Sequence, residues 1–331
     1  LHYVIIKLLD NYAMKSPVFY KFNVNPDNAS RIDKIIASEL PEYSRSRIQT
    51  WIKNGNILLN GKTCLPKDIV KESTLIELTI EESESLDIEA QNLPLEIIHE
   101  DEDIIIVNKD SGMVTHTAVG NSNNTLQNGL LHRFPELKYV PRAGIIHRLD
   151  KQTSGILIIA RNLKSQHYLS TLMQSRLINK KYSSIVSGIV SRDIVIDKPI
   201  GRHRVNRKKM TVREDGKQAR SIVTVDKVLE NSSLLDIEIV TGRTHQIRVH
   251  LSSLGNPVFG DHLYGFKNNR FVKNPKIMDF LKNYDGFALH ASYIRFIHPV
   301  TNKDFEIECL PGHSFNVIKS LLLENKNGCT N

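Results

Sequence analysis

Near the start of the chain, apolar side chains recur every three or four positions in two short segments, which is the spacing of helices. In the first, "SRIDKIIASEL", Ser30 is the expected N-cap and Pro41 ends the helix. In the second, "SRSRIQTWIKNG", Ser44 is the expected cap and Gly55 marks the end. The next segment, "NILLNGKTCL", contains an Asn-Gly pair typical of a type I′ turn. The pattern predicts two helices and a hairpin.

Farther along the chain, short apolar runs and alternating patterns predict strands. One helix is expected near residues 126–134, and another in "NLKSQHYLSTLMQSRLINK", whose apolar stripe includes Leu169, Leu172, Met173 and Leu177. The segments predicted as strands are "EIIHEDEDIIIVNK" (two strands), "KYSSIVSGIV", "RSIVTVDKVL", "LLDIEIVTGR", "ALHASYIRFIHP" and "DFEIECL". The fold class is therefore α+β, with a mixed and largely antiparallel sheet.

The segment "GIIHRLDKQTSGILIIAR", residues 144–161, has two apolar runs around a polar loop, which predicts a β-hairpin. At its tip, Asp150 lies between Arg148 and Lys151. Adjacent cations favour the ionised carboxylate, so Asp150 is better suited to be a nucleophile or a base than a proton donor. From this segment alone, however, Asp150 is better interpreted as a turn residue held by ordinary salt bridges than as a catalytic residue.

Two further segments contain candidate site residues. In "TGRTHQIRVH", Thr244 is the expected cap of a helix that carries Arg248, and Arg243 precedes it. These arginines suit an RNA phosphate, a pairing with Asp150, or a fold-stabilising network. In "KKYSSIV", Tyr182 could stack on a base, or could simply pack in the core.

Charge is distributed unevenly along the 331 residues, whose net charge is +8. Residues 201–220 contain eight bases and two acids, whereas residues 81–103 contain ten acids and neither Lys nor Arg. The basic segment predicts either a cationic surface for a polyanion or a solvated loop.

Composition narrows the class of protein further. Three cysteines are too few and too scattered for a disulfide framework or a zinc site, so a reducing compartment, the cytoplasm, is expected. No apolar run approaches the ~18 residues of a membrane helix, so no membrane partner is expected. Residues 1–13, before Met14, are expected to be an extension of little consequence.

The order helix, helix, hairpin in residues 19–80 resembles the S4 RNA-binding domain. Cationic side chains on a helix beside a tight turn suit the phosphate backbone of structured RNA. The alternative is a helical hairpin with normal surface charge. The residues that this resemblance assigns to RNA contacts are Arg31, Ser44, Arg45, Arg47 and Lys53.

The motifs "HRLDKQTSG", "KKYSSIVSG" and "TGRTHQIR" occur in an order and at spacings that resemble the RluA-type pseudouridine synthases. With the S4-like unit in front, and with "VPRAGIIHRLDK", "IGRHRVNRKK" and "GDHLYG", the chain looks like the RluD group of that family. The loop departs from related loops at Gln152 and Ser154, where an acid and a second Thr are often found.

That likeness implies a role for each matching residue. Asp150 would be the catalytic aspartate, Arg248 its partner, Tyr182 the active-site aromatic, Leu289 a wall of the base pocket and Arg148 a supporting residue. The likeness also implies uridine isomerisation in RNA, most simply in 23S ribosomal RNA of the large subunit. The further RNA contacts that we expect are Arg202, Arg204, Arg207, Lys208 and Arg243.

Isomerisation moves uracil from N1 to C5 on the ribose, with no net oxidation and no leaving group. It therefore needs no cofactor and no metal, and a single ionised carboxylate is enough to begin it. Attack on the base, attack on the sugar and removal of a sugar proton all remain open. The uridine must first be flipped out of its stack.

Other functions fit the sequence less well. A glycoside hydrolase needs a second carboxylate, a metal nuclease needs clustered ligands, and a methyltransferase needs a Gly-rich cofactor loop. The alternatives that remain are a non-catalytic RNA-binding ribosome assembly factor, and the same chemistry on tRNA or another ribosomal site. We expect a monomer whose segments are an N-terminal extension (1–18), an S4-like domain (19–80), an acidic linker (81–92), a catalytic domain (93–319) and a tail (320–331).

Overall fold

The computed structural model describes residues 18–25, 29–40, 43, 45–80, 88–117, 121–229, 231–268 and 274–327. Its first elements are β1 (Val18–Val24), β2 (Ser30–Arg31), α1 (Ile32–Glu39), α2 (Arg45–Lys53), β3 (Ile57–Leu59), β4 (Lys62–Thr63), β5 (Ile69–Val70) and β6 (Thr74–Ile80). Strands β1, β6, β3 and β4 pair in that order. Buried side chains from both helices and from this sheet, such as Ile36, Trp51 and Ile76, share one hydrophobic cluster.

The two predicted helices and the hairpin of this region are confirmed. Asn60 and Gly61 have φ values of 48° and 73°, which a type I′ turn requires at both central residues. Gly55 follows α2 with a φ of 77°, as expected for a residue that ends a helix. The proposed cap Ser44 and the stop at Pro41 lie outside the described residues.

The prediction that Ser30 caps α1 is wrong. Ser30 lies in β2, where it pairs with Val70, and the N-cap residue is Arg31, whose side chain makes no capping hydrogen bond. Instead, the backbone N–H of Ile32 donates to the carbonyl of Asp68 at 2.9 Å. A carbonyl from a distant turn therefore satisfies a helix-end N–H, and no hydroxyl is needed there.

The remaining elements form a larger sheet with helices on it. These are β7 (Glu96–Glu100), β8 (Ile104–Lys109), α3 (Leu126–Arg133), β9 (Ser154–Ala160), α4 (Leu163–Gln174), β10 (Asn179–Ser187), β11 (Ile194–Asp197), β12 (Ile200–Arg202), β13 (Met210–Val212), β14 (Arg220–Val228), β15 (Ser232–Ile239), α5 (Gln246–Ser252), α6 (Pro275–Asn283), β16 (Leu289–Ile297), β17 (Asp304–Glu308) and α7 (His313–Asn327). The α+β class with a mixed, largely antiparallel sheet is confirmed.

Among the described residues this sheet has nine strands, in the order β11-β14-β15-β10-β16-β9-β8-β7, with β17 also paired to β16. Its faces carry different hydrophobic clusters. Ile105 and Val107 belong to one cluster, and the alternating residues Ile104 and Ile106 belong to another. The sheet is therefore covered on both faces, and the first cluster contains the site residues Tyr182 and Leu289.

Strands β9 and β16 are, among the described strands of this sheet, the pair that runs parallel, and they touch over only two residues on each side. Gly155 permits this contact. Its φ is 109°, and a Cβ added there would lie 2.6 Å from the backbone nitrogen of Ala291. Because Gly155 lies five positions after Asp150, this approach fixes where the Asp150 loop joins the sheet.

We expect Gly155→Ala to lower the free energy of unfolding by ~2 kcal/mol or more, because alanine adds left-handed strain and a backbone clash. Urea unfolding of the purified variant measures this loss. Gly312→Ala is the matched control, since a Cβ there meets nothing within 4 Å and no left-handed φ is involved. Equal stability of the two variants would contradict the role assigned to Gly155.

The hairpin predicted for residues 144–161 is only half right. Its second arm is β9, but the first arm reduces to a single bridge between Ile145 and Ile159. After it, the ring of His147, and not a backbone carbonyl, accepts the N–H of Ile158 at 3.2 Å. A side chain has replaced the ladder, so Asp150 lies in an irregular loop and not at a hairpin tip.

Two other details concern helices. The amphipathic helix is confirmed as α4, in which Leu169 is fully buried. Leu177 is not part of its apolar stripe, because the helix ends before it and the side chain is 64% exposed. Within the described residues, no helix is both long enough and apolar enough to cross a bilayer.

Candidate active site

The loop that carries Asp150 is held on both sides of that residue. The Thr115 hydroxyl donates to the carbonyl of Leu149 at 2.9 Å. On the other side, the Lys109 ammonium donates to the carbonyl of Lys151 at 3.2 Å. The backbone of Asp150 is thus fixed from the strand region before it, while its side chain stays 19% exposed toward a pocket.

Lys109 is one of the largest fully buried side chains among the described residues. Its ammonium donates to three carbonyls, those of Asp110, Met113 and Lys151, at 2.7, 2.9 and 3.2 Å. Burial lowers its pKa to about 8, although the charges of Asp110 and Asp150 act in the opposite direction. Three carbonyl acceptors stabilise the cation beneath the loop.

Arg248, on α5, joins two carboxylates. Its Nη1 donates to Asp150 at 2.9 Å, while Nε and Nη2 donate to the two oxygens of Asp261 at 2.6 and 3.0 Å. The rings of Tyr264 and Phe287 flank the guanidinium, with centroids 4.8 and 4.4 Å from Cζ. Burial opposes the charge, but the bonds and charge of Asp261 outweigh it and raise the pKa of Arg248.

The second oxygen of Asp150 faces His245, whose Nε2 lies 3.8 Å from Oδ1. The Tyr264 hydroxyl accepts the backbone N–H of Met210 at 2.9 Å and lies 2.7 Å from Nδ1 of His245. The hydroxyl proton is therefore available to Nδ1, which directs the ring proton to Nε2, on the Asp150 side. Burial lowers the pKa of His245, with Asp150 opposing, so the neutral ring is favoured.

The prediction that Thr244 caps α5 is wrong. His245 is the N-cap residue, in a left-handed conformation with a φ of 56°, and makes no capping hydrogen bond with its side chain. Instead, the side chain of Gln246 makes a hydrogen bond to the turn before the helix: its Oε1 accepts the N–H of Arg243 at 3.0 Å. This turn is what brings the His245 ring beside Asp150.

Asp150 lines a cavity of about 110 Å³ together with Tyr182 and Leu289. Both of these side chains are buried, and Ile239 and Ile247 extend the apolar wall. Burial and the charge of Asp150 raise the pKa of Tyr182, which keeps the phenol neutral. Within the residues that the structure describes, no three His, Cys, Asp or Glu side chains come close enough to hold a metal ion.

The residues expected to contact RNA lie in different settings. Arg31 and Arg45 both pair with the buried carboxylate of Asp33, at 3.0 and 2.8 Å. Arg47 lies over the Trp51 ring at 5.2 Å, and Lys53 is exposed at the end of α2. Arg31, Arg45 and Arg47 thus have structural contacts as well as exposed surface.

The basic segment forms a hairpin of β12 and β13, whose cationic side chains Arg202, Arg204, Arg207 and Lys208 are exposed. Strand β13 begins at Met210, whose backbone N–H donates to the Tyr264 hydroxyl. This hydrogen bond links the hairpin to the His245 side of the pocket. Arg148 is exposed and Arg243 half-buried, and both line the wall of the Asp150 cavity.

Known proteins resemble this chain in sequence. Residues 103–253 match the family model described as RNA pseudouridylate synthase, and residues 30–76 match that of the S4 domain. Ribosomal large subunit pseudouridine synthase D of Haemophilus influenzae is 39% identical over 287 residues, which cover 86% of this chain and 88% of that protein. The protein of the same name in Pseudomonas aeruginosa is 38% identical over 300 residues, or 89% and 93% of the two chains.

The chain belongs to the RNA pseudouridylate synthase family. It is an RNA pseudouridine synthase, an isomerase that binds RNA and carries an S4 domain, as its motifs imply. Its likeness to the RluD group is confirmed by the names of these relatives. Among solved structures, Human RNA Pseudouridylate Synthase Domain Containing 1 has a TM-score of 0.52 at 25% identity, covering 70% of the synthase and 96% of that chain.

Sequence reasoning missed several residues that hold the site of the synthase together. Asp261 and Tyr264 lie in "GDHLYG", which marked the subgroup but received no role. The available signal was electrostatic, because a buried arginine needs a buried acid and the only assigned partner was Asp150. Lys109 and His245 gave no such signal, since each has a partner far along the chain, Lys151 for the first and Tyr264 for the second.

The stability of the synthase should fall in acid partly because of His147. Burial and the charge of Lys180 lower its pKa to about 3, compared with about 6.5 in an unfolded chain. As pH falls below 6.5, the unfolded state therefore binds a proton that the native state does not. The free energy of unfolding should decrease by about 1.4 kcal/mol per pH unit from this residue alone, down to pH 3.

Urea unfolding of the wild type and of His147→Gln between pH 7.5 and 4.5 measures this effect. Gln keeps an acceptor for the N–H of Ile158 but does not titrate. Other histidines with lowered pKa values, such as His250 and His290, contribute equally to both proteins. The variant should lose less stability per pH unit than the wild type, and parallel curves would contradict a His147 that stays neutral in the native state.

Proposed function

We propose that the synthase isomerises one or a few uridines of large-subunit ribosomal RNA, with Asp150 as the catalytic carboxylate. The supporting observation is the pairing of Asp150 with Arg248, which is itself fixed by Asp261. One oxygen of the carboxylate accepts from the guanidinium, and the other lies 3.8 Å from Nε2 of His245. The Asp150 side chain lines a cavity together with Tyr182 and Leu289. A single oriented carboxylate next to an apolar slot suits a base that must be detached, rotated and rejoined.

In this reaction the C1′–N1 bond breaks and a C1′–C5 bond forms, while the proton lost from C5 is balanced by one gained at N1. The carboxylate begins the reaction, and Arg248 orients it through a hydrogen bond to one oxygen. Tyr182 and Leu289 hold the detached uracil and exclude water. Arg148 lies at the mouth of the pocket and supports the extruded nucleotide.

RNA binding is assigned to two cationic regions. Residues 19–80 serve as the S4 RNA-binding unit, and residues 93–319 as the catalytic unit, joined by the acidic segment 81–92. The exposed cations of the β12–β13 hairpin contact phosphates, as does Arg243, and these contacts offset the few kcal/mol that base flipping costs. The names of the curated relatives support large-subunit ribosomal RNA as the substrate. We further propose a cytoplasmic monomer.

Mapping pseudouridines in cellular RNA with and without the gene tests this proposal. We expect one or a few sites in large-subunit ribosomal RNA to be lost, and to return when the wild-type gene is restored but not when Asp150→Asn is supplied. Loss of sites confined to tRNA would contradict the proposed substrate. An unchanged map in all RNAs would contradict the proposed activity in the cell.

A further inference from the structure

A second, larger cavity of about 550 Å³ adjoins the Asp150 pocket. The two share a wall that includes Arg148, Tyr182 and Arg243. Beyond that wall, the second cavity is lined by three more cations, Arg142, Arg176 and Lys180, which the sequence motifs did not assign. None of the described residues that line it is an Asp or a Glu. Five permanent or near-permanent positive charges therefore surround one space without a lining carboxylate.

Lys180 shows that the charge of this cavity is poorly compensated by the protein. Its Nζ donates to the thioether sulfur of Met173 at 3.2 Å, and sulfur is a weak acceptor. Among the described residues, no carboxylate lies within ion-pair distance of it. Burial lowers its pKa to about 8, and its charge in turn lowers the pKa of His147. An anion in the cavity would supply the acceptors that the ammonium lacks.

His116 adds a second unfilled polar atom at the same place. Its Nδ1 is buried and has no hydrogen-bond partner in the part of the chain that the structure describes. Its ring lines the cavity, and burial together with the charges of Arg148 and Arg142 lowers its pKa. Buried polar atoms normally have partners, so an unfilled nitrogen among cations indicates a missing anionic or polar ligand.

We infer that this cavity binds the phosphodiester backbone of the RNA strand directly beside the flipped uridine, with Lys180 and Arg176 as phosphate ligands. The inference rests on the proposed function, because the shared wall at Tyr182 and Arg148 is where a nucleotide in the Asp150 pocket would continue into the strand. Guanidinium forks and an ammonium are the groups that bind phosphate oxygens most effectively. The site therefore recognises phosphate and carries no base specificity of its own.

Kinetics of Lys180→Gln and Arg176→Gln on a transcript of large-subunit ribosomal RNA give the first test. We expect KM to rise roughly 10- to 100-fold for each variant, because a charge-assisted hydrogen bond is lost, with kcat changed less than threefold. The slope of log affinity against log salt should fall by about 0.7 for each lost contact. Lys164→Gln, an exposed cation on α4 outside the cavity, is the control and should match the wild type.

A drop in kcat at unchanged KM, or a salt slope equal to that of Lys164→Gln, would overturn the inference. The second test neutralises the ligand instead of the protein. Single methylphosphonate linkages are placed at each of the three positions on either side of the target uridine in a short stem-loop, and binding is measured in the Asp150→Asn background. At one linkage, we expect neutralisation to weaken binding about tenfold with Lys180 present and to have no effect with Lys180→Gln.

At each linkage, the loss of affinity caused by the methylphosphonate is compared with and without Lys180→Gln. If the two losses simply multiply at all six linkages, no linkage contacts Lys180 and the phosphate site is overturned. The two proposals fail separately in this design. If the wild type does not isomerise the unmodified stem-loop, the proposed function is wrong. If it isomerises the stem-loop but no linkage couples to Lys180, only the assignment of the cavity is wrong.

Discussion

Asp150→Asn should abolish isomerisation while RNA affinity stays within a few fold of the wild type. Asparagine keeps the size of the side chain and can still accept a hydrogen bond from Arg248, but it has no negative charge and is a poor nucleophile and base. The backbone of the loop is held independently by Lys109 and Thr115, so it should not move. Loss of the charge alone should therefore remove the chemistry.

Tritium release from C5-labelled uridine in RNA measures isomerisation, and filter binding of the same RNA measures affinity. The matched control is Asp279→Asn, which removes an exposed carboxylate on α6 that pairs with Lys282 at the surface. It should release tritium at the wild-type rate. Tritium release by Asp150→Asn within tenfold of the wild type would exclude this carboxylate as the group that begins the reaction.

Arg248→Met should cost both activity and stability. Removing the guanidinium leaves Asp261 buried and without its ion pair, which should lower the free energy of unfolding by about 3–5 kcal/mol. It also removes the donor that orients Asp150, so isomerisation should fall at least a hundredfold at saturating RNA. Urea unfolding and single-turnover tritium release measure the two effects separately.

The double variant Arg248→Met with Asp261→Leu separates the two roles of this arginine. An apolar pair of similar volume can replace a buried ion pair at little cost, so most of the lost stability should return. The rings of Tyr264 and Phe287 already provide an apolar wall for the methionine. Isomerisation should stay low, because Asp150 still lacks its partner. Recovery of activity along with stability would show that Arg248 acts only through folding.

Helices α1 to α5, most strands and the α+β class could be predicted because each depends on local periodicity. Helices α6 and α7 were not predicted. The caps at Ser30 and Thr244 could not, since each helix end is completed by other groups: the carbonyl of Asp68 for one, and a left-handed His245 for the other. The hairpin before Asp150 failed for a similar reason, because the ring of His147 takes the place of a backbone carbonyl. Tertiary contacts decide these details.

The candidate site divides in the same way. Asp150, Tyr182, Arg248 and Leu289 were assigned from motifs, and the structure brings all four to one cavity. Asp261, the partner that fixes Arg248, was not assigned from a motif. It lies in the loop after α5 and not on the helix that carries Arg248. Residues that line the cavity carry a sequence signature, whereas those that hold them from outside it, such as Asp261, are recognised only when their burial and partners are known.

The distance from the residue-150 side chain to the flipped nucleotide, in a complex of Asp150→Asn with its RNA substrate, tests the central claim most directly. We predict that one side-chain atom lies about 3–3.5 Å from C1′ or from the uracil ring, with Arg248 still bound to the side chain. A uridine that remains stacked in the RNA, or that lies nearer to another carboxylate than to residue 150, would contradict it.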